Sequence, residues 1–273
     1  MPCFEGSSLR RCKGELMANY SITSLYSGSK GNSVFIETEK ARILIDAGKS
    51  SRALCSALNA IGKNIDDIDA IFITHEHADH VSALEVLLKK HRIPVHIVGI
   101  SARKLIEKGL FSKGNLICSH PPIFEEQIGD MRISSFSTPH DSEYSVGYRI
   151  ELDDACIGYA TDIGYITPEI RENLLGCESV VLECNHDLEM LMNGPYPYDL
   201  KLRIRSNRGH LSNSACAELS SELFLNGTKN ILLAHLSEEN NDPSLAFDEV
   251  WSAIGDDSAN LRVASQYEPT KLI

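Results

Sequence analysis

The stretch Thr74-His75-Glu76-His77-Ala78-Asp79-His80 places three imidazoles and a carboxylate (His75, His77, Asp79 and His80) within six residues, directly after the apolar run Ala70-Ile71-Phe72-Ile73. Neutral imidazole and carboxylate are groups that Zn²⁺, Mn²⁺ and Fe take as ligands. Alternation at a strand end points His75 and His77 the same way. Asp79 and His80 break that alternation at the start of a helix expected over 81–90, so they can face a second ion beside the first. Two divalent metal ions, Zn or Mn with Fe also possible, are the expected load. Isolated histidines usually sit at the surface or satisfied in a core; four potential ligands packed this densely behind a β-like run are hard to obtain that way.

Further ligands are expected where other strands end, because loops converge on that edge. His140 follows a strand over 131–137, Asp162 follows one over 156–160, and His235 ends one over 230–234.

The elements that must position these residues alternate between strand and helix. Strands are expected over 20–26, 34–38 and 42–46, a helix over 51–61, the motif strand over 70–73, a strand over 94–99 and a helix over 102–108. The pattern then restarts with strands over 131–137, 146–152 and 156–160, a helix over 168–175, a strand over 179–183, a helix over 212–225, a strand over 230–235, a helix over 243–254 and a strand over 261–265. Such a twofold layout suits two sheets packed face to face with helices outside, a four-layer αββα sandwich. Residues 1–17 show neither period and are expected to be a loose extension; 18–273 are expected to form one domain, with no linker dividing them.

The chain of 273 residues can bury a core without disulfides, and its eight cysteines are scattered without a C-x-x-C pair, which argues for reduced core residues and against a zinc ribbon. No apolar run approaches the roughly 20 residues that span a bilayer, and no signal-peptide pattern is present; a cytoplasmic protein is expected. A net charge of −12 argues against a general polyanion binder but leaves room for a locally basic cleft.

The order His75-x-His77-x-Asp79-His80, then His140, Asp162 and His235, resembles the metallo-β-lactamase superfamily over nearly the whole chain from residue 20. The resemblance implies the αββα sandwich. It also implies that His75, His77 and His140 hold one metal, that Asp79, His80 and His235 hold the other, and that Asp162 bridges them. True β-lactamases of the commonest kind carry Cys at the bridging position, so Asp162 speaks against antibiotic hydrolysis. Ser27-Gly28-Ser29-x-Gly31-Asn32-Ser33, Pro139-His140-Asp141, Glu183-x-Asn185-His186-Asp187 and Gly209-His210-Leu211-Ser212-Asn213 are together similar to the YycJ/WalJ branch of small bacterial DNA exonucleases. That branch implies action from the 5′ ends of duplex DNA, and DNA repair.

The residues themselves offer a substrate side. Lys201, Arg203, Arg205 and Arg208 form the most basic stretch of an acidic chain and run into His210 at a helix start, an arrangement suited to phosphate; a solvated helix face with a capping loop is the alternative. His210 could donate a proton to a leaving oxygen or bind a phosphate oxygen, and Asp79 could orient the attacking hydroxide. Ser29, Asn32 and Asn185 are candidate substrate contacts, or turn residues satisfying their own backbone. Tyr196 and Tyr198 could stack on a base or belong to a rigid proline-rich loop, while His91, His96 and His120 are expected to be structural. Between Asp162 and His235 there is no room for the inserted domain of larger RNA-processing relatives. Two rivals to the nuclease stand: a small-molecule metallohydrolase (a cyclic phosphodiesterase or a glyoxalase II-like thioester hydrolase), and a noncatalytic metal-dependent binding protein.

Overall fold

The structure, a computed structural model, describes residues 19–112 and 114–273, so the expected extension over 1–17 lies outside the described residues. Strand alternation explains the layering. In β3 (Arg42–Ile45), β4 (Ala70–Phe72), β11 (Ser179–Glu183) and β12 (Asn230–Ala234), one set of side chains (Ile43, Ile45, Ala70, Phe72, Val181, Leu232) enters a core between two sheets. The intervening set packs outward: Leu44 and Ile71 meet Leu54 and Leu58 of α1 (Ser51–Ala60), while Val180, Leu182 and Leu233 meet Cys216 and Leu223 of α8 (Asn213–Leu225) and Val250 of α9 (Pro243–Ile254). Strands apolar on both faces are what a sheet buried on both sides requires. The result is the four-layer αββα sandwich, each fully buried Phe or Leu contributing about 1.5–3 kcal/mol.

Each sheet has seven strands. The first runs β14-β1-β2-β3-β4-β5-β6, with β1 (Tyr20–Tyr26), β2 (Ser33–Thr38), β5 (Val95–Val98), β6 (Ile117–His120) and β14 (Thr270–Lys271). The second runs β13-β12-β11-β10-β9-β8-β7, with β7 (Glu125–Ile128), β8 (Met131–Thr138), β9 (Ser145–Glu151), β10 (Cys156–Ala160) and β13 (Asn260–Val263). Both begin antiparallel and continue parallel, from β3 in one and from β10 in the other. Parallel pairing of β10, β11 and β12 in register brings Asp162, Glu183 and His235 to one edge. Val146 N donates to Thr74 O across the sandwich, joining the His75 loop to that edge.

The expected helix over 81–90 is not one helix. It is two short turns, α2 (Ala78–Val81) and α3 (Leu84–Leu87). The Asp79 carbonyl accepts from Asn32 N at 2.8 Å, and Ala83 N donates to Ala47 O at 2.9 Å, so tertiary bonds replace the helical bond that would join them. Strands β6, β7 and β14 and helices α6 (Leu188–Asn193) and α7 (Tyr198–Ile204) lie outside the elements expected from periodicity, and Pro197 caps α7 where the sequence alone leaves a proline-rich loop open. Helices α4 (Gly99–Glu107) and α5 (Pro168–Leu174) complete the two outer layers. Among the described residues, no helix is long and apolar enough to cross a membrane.

Candidate metal centre

His75 and His77 leave the end of β4, His140 follows β8, Asp162 follows β10 and His235 follows β12. Ligand atoms of His75, His77 and His140 all lie within 4.8 Å of one another, as do those of Asp79, His80 and His235. Asp162 lies between the two sets: its Oδ1 is 3.6 Å from His140 Nε2 and from His235 Nε2, and its Oδ2 is 3.3 Å from His80 Nε2. The structure therefore brings together the seven side chains singled out in the sequence.

The backbone is bent to make this possible. Asp46, Asp162 and His235 each take positive φ, at 63°, 58° and 58°, where a non-glycine residue costs on the order of 1 kcal/mol. At the ends of strands this turns Asp162 and His235 into the cleft and Asp46 toward His80 behind it. Gly48 serves by its lack of a side chain. A Cβ there would sit 1.9 Å from Asp79 O and 2.5 Å from Asn32 N, so only glycine lets the chain pass beneath Asp79.

Four of the histidines are held by their outer nitrogen. His75 Nδ1 lies 3.0 Å from Thr74 Oγ1, His80 Nδ1 2.7 Å from Asp46 Oδ2, His140 Nδ1 3.1 Å from Gly209 O and His235 Nδ1 3.1 Å from Glu183 Oε1. Each acceptor fixes the tautomer with Nδ1–H outward, leaving Nε2 lone pairs aimed at a common centre, the arrangement by which proteins orient metal-ligating histidines. His75 Nε2, His235 Nε2 and Asp162 Oδ2 are buried there without any hydrogen-bond partner among the described residues. Buried polar atoms are ordinarily satisfied, so convergent orphans of this type fit divalent cations.

The charges agree. Burial keeps His75 well below the ordinary histidine value, and burial keeps His140 low as well. Burial also opposes charge on His80 and His235, but the carboxylates outweigh it: Asp79, Asp46 and Asp162 raise His80, and Asp162, Asp79 and Glu183 raise His235 to about 10. Asp162, although buried, is held well below the carboxylate range by the surrounding imidazoles. Cations are what this cluster of carboxylates attracts.

Asp46 and Glu183 carry no role assigned from sequence, yet both serve the site. Asp46 is fully buried and accepts from Thr74 N at 2.9 Å as well as from His80. Glu183 binds both His210 Nδ1, at 2.8 Å, and His235 Nδ1, while its other oxygen accepts from Ile163 N and Leu211 N. The strand-end rule that picks out His140, Asp162 and His235 applies equally to both, since Asp46 directly follows β3 and Glu183 ends β11.

The candidate substrate residues divide. His210, Ser29, Asn185 and Tyr196 line a cleft of about 250 Å³ over the cluster, whereas Tyr198 is 63% exposed. Asn32 is buried behind Asp79, donating to its Oδ2 at 3.2 Å, and Asn185 also donates to His235 O at 2.8 Å. The basic stretch is mostly engaged: Lys201 Nζ closes on Met192 O and Gly194 O, Arg203 on Asp141, and Arg208 on the carbonyls of His140 and Ser142. Arg205 makes no ion pair among the described residues and contacts Met192 Sδ. His91 pairs with Asp66, and His96 and His120 hydrogen-bond to each other.

This chain belongs to the metallo-beta-lactamase superfamily, whose family model matches residues 27–214. It is 38% identical over 236 residues to the exodeoxyribonuclease WalJ of Streptococcus pneumoniae serotype 2, covering 85% of this chain and 86% of that one. It is 34% identical over 233 residues to the exodeoxyribonuclease YycJ of Bacillus anthracis, covering 81% and 84%. Among solved structures, the metallo-beta-lactamase fold protein YhfI from Bacillus subtilis superposes with a TM-score of 0.71 at 16% identity, covering 92% of this chain and 99% of that one, a likeness of fold alone.

Proposed function

We propose that this protein is a dimetal phosphodiesterase acting on DNA, an exonuclease that works from the 5′ ends of duplex DNA in the cytoplasm. His75, His77 and His140 would hold one ion and Asp79, His80 and His235 the other, with the Asp162 carboxylate lying between the two sets. Zn²⁺ and Mn²⁺ suit this donor set, with Fe a third option. When bound, the ions supply Lewis acidity and lower the pKa of water into the neutral range.

The observation that carries the reading is His210. It stands outside the seven ligands yet lines their cleft, and its Nδ1 is fixed by Glu183 at 2.8 Å. Burial alone would push His210 down, but the Glu183 carboxylate beside it raises it above the ordinary histidine value. A ring oriented by a carboxylate at the edge of a hydrolytic centre is placed to donate a proton to the leaving oxygen of a diester. Asp79, partly open to the cleft and held by Asn32, orients the attacking hydroxide. Ser29 at the mouth and Arg205 beyond His210 are the groups left free to contact a polyanion, with Arg208 shaping the loop around His140. Two relatives named exodeoxyribonuclease, matched over more than four-fifths of this chain, support DNA as the substrate.

The test is a panel assay of the purified protein with Mn²⁺ or Zn²⁺ on 5′-phosphorylated duplex DNA, single-stranded DNA, RNA, a cyclic phosphodiester and a glutathione thioester. Fastest turnover of duplex DNA is expected; fastest turnover of the cyclic diester or the thioester would replace this reading with a small-molecule hydrolase.

A further inference from the structure

Behind His210 lies a second cavity, of about 430 Å³, which falls in the range of roughly 300–1,000 Å³ typical of small-ligand sites. His210 lines both this cavity and the metal cleft and is the one residue to do so among the described residues. The second cavity has an apolar wall at Leu211, Ala215 and Leu219, and a half-exposed aromatic, Tyr165, at its rim. Arg205 lines it too and makes no ion pair among the described residues, although the Glu218 carboxylate lines the same cavity.

A buried group in this cavity is unexplained by the metal centre. His186 is 1% exposed, lines the cavity, and its Nδ1 has no hydrogen-bond partner among the described residues. Burial holds the ring at a pKa of about 4, so it is neutral at physiological pH and offers one donor and one acceptor. A neutral imidazole, an unpaired guanidinium, an aromatic face and an apolar wall around one space match the parts of a nucleotide: hydrogen-bonding edge, phosphate and stacking base.

We propose that this cavity receives the terminal nucleotide of the strand whose scissile phosphate lies in the metal cleft, with its base between Tyr165 and Leu219, its own phosphate at Arg205, and a polar edge at His186. The inference rests on the nuclease reading and specifies its leaving group. Hydrolysis then breaks the bond between phosphorus and O3′ of the terminal nucleotide. The water oxygen stays on phosphorus as the new 5′-phosphate of the shortened strand, and O3′ departs with the proton His210 donates. A proton donor belongs beside the leaving oxygen, and His210 occupies the boundary between the cleft that holds the phosphorus and the cavity that holds the departing nucleotide. One such cavity next to the centre makes cleavage count one nucleotide from an end.

The test compares the metal-loaded wild type with Ala215→Trp, which fills the cavity from the first turn of α8, and with Arg205→Ala. Two substrates are used: 5′-phosphorylated duplex DNA, and bis(4-nitrophenyl) phosphate, which needs only the metal cleft. Deoxyadenosine 5′-monophosphate serves as competitor. Both variants are expected to lose at least about tenfold more kcat/KM on DNA than on the small diester, and to raise the inhibition constant of the mononucleotide against DNA by a similar factor. An active wild type whose variants keep their kcat/KM on DNA and the same mononucleotide inhibition would overturn the cavity assignment alone. A wild type that turns over the small diester but no DNA would overturn the nuclease reading and this inference with it.

Discussion

Nδ1 of His80 lies 2.7 Å from Oδ2 of Asp46, with both side chains completely buried. The contact orients His80, a proposed metal ligand, with its Nε2 toward the cluster and Asp46 on the opposite side. Outer partners of this kind are worth about 10–100-fold in metal affinity. Asp46→Asn preserves the shape and weakens the acceptor, so it should lower the affinity for one divalent ion by about that factor while leaving the circular dichroism spectrum unchanged. Titration with a competing chelator measures it, and a wild-type affinity would show that Asp46 serves only the Thr74 turn.

Glu183 is expected to set the pH range of catalysis through His210. Because the carboxylate raises His210, the donor stays protonated to higher pH than an ordinary histidine would. Glu183→Gln removes that charge, so the alkaline limb of the kcat/KM profile should move to lower pH. His210→Ala should cost roughly 10²–10⁴ in kcat. An unshifted limb in Glu183→Gln would remove His210 from proton transfer.

Stripping the metals should expose a pH-dependent weakness. His235 has a folded pKa of about 10, against an unfolded value near 6.5. A group raised in this way contributes its stability in full below the unfolded value and loses it as pH rises through the folded one. The chelator-treated protein should therefore melt at progressively lower temperature from pH 7 to pH 10. Metal binding must displace the same proton, so metal affinity should rise over that window. Calorimetric scans showing constant or rising melting temperature for the stripped protein would contradict the assignment of His235.

Gly48→Ala probes a close approach. The added methyl group would meet the Asp79 carbonyl at 1.9 Å, and that loop would have to move. Metal content per chain should fall, with affinity down about tenfold, since Asp79 and His80 shift together. Retention of full metal content would mean that the loop gives way without disturbing its ligands.

The seven-residue cluster is legible in the sequence because its chemistry is concentrated at strand ends, and strand periodicity marks those ends. The two sheets are legible for the same reason: runs such as Ile43–Ile45 and Val180–Leu182 are apolar on both faces. Asp46 and Glu183 are harder to assign because their partners lie far away in sequence, His80 34 positions from Asp46 and His235 52 from Glu183. The helix expected over 81–90 breaks because Asn32 and Ala47 take its backbone bonds, and no local pattern announces that. Strands β6 and β7 are short and half-polar (Ile-Cys-Ser-His and Glu-Glu-Gln-Ile), so they lack the apolar alternation that would mark them. Four cations in one stretch are visible in the sequence, but not that Lys201 and Arg203 are spent on carbonyls and on Asp141.

Whether the proposed dimetal cluster cuts DNA from its 5′ ends is decided by a time course on duplex DNA phosphorylated and labelled at one 5′ end. It is run with the wild type, Asp79→Ala and His77→Ala, in the presence of Mn²⁺ and after metal removal. The metal-loaded wild type should release labelled mononucleotide from the 5′ end. Both variants should remain folded and lose nearly all activity, as should the stripped enzyme. Full activity of metal-stripped Asp79→Ala protein would contradict a dimetal mechanism.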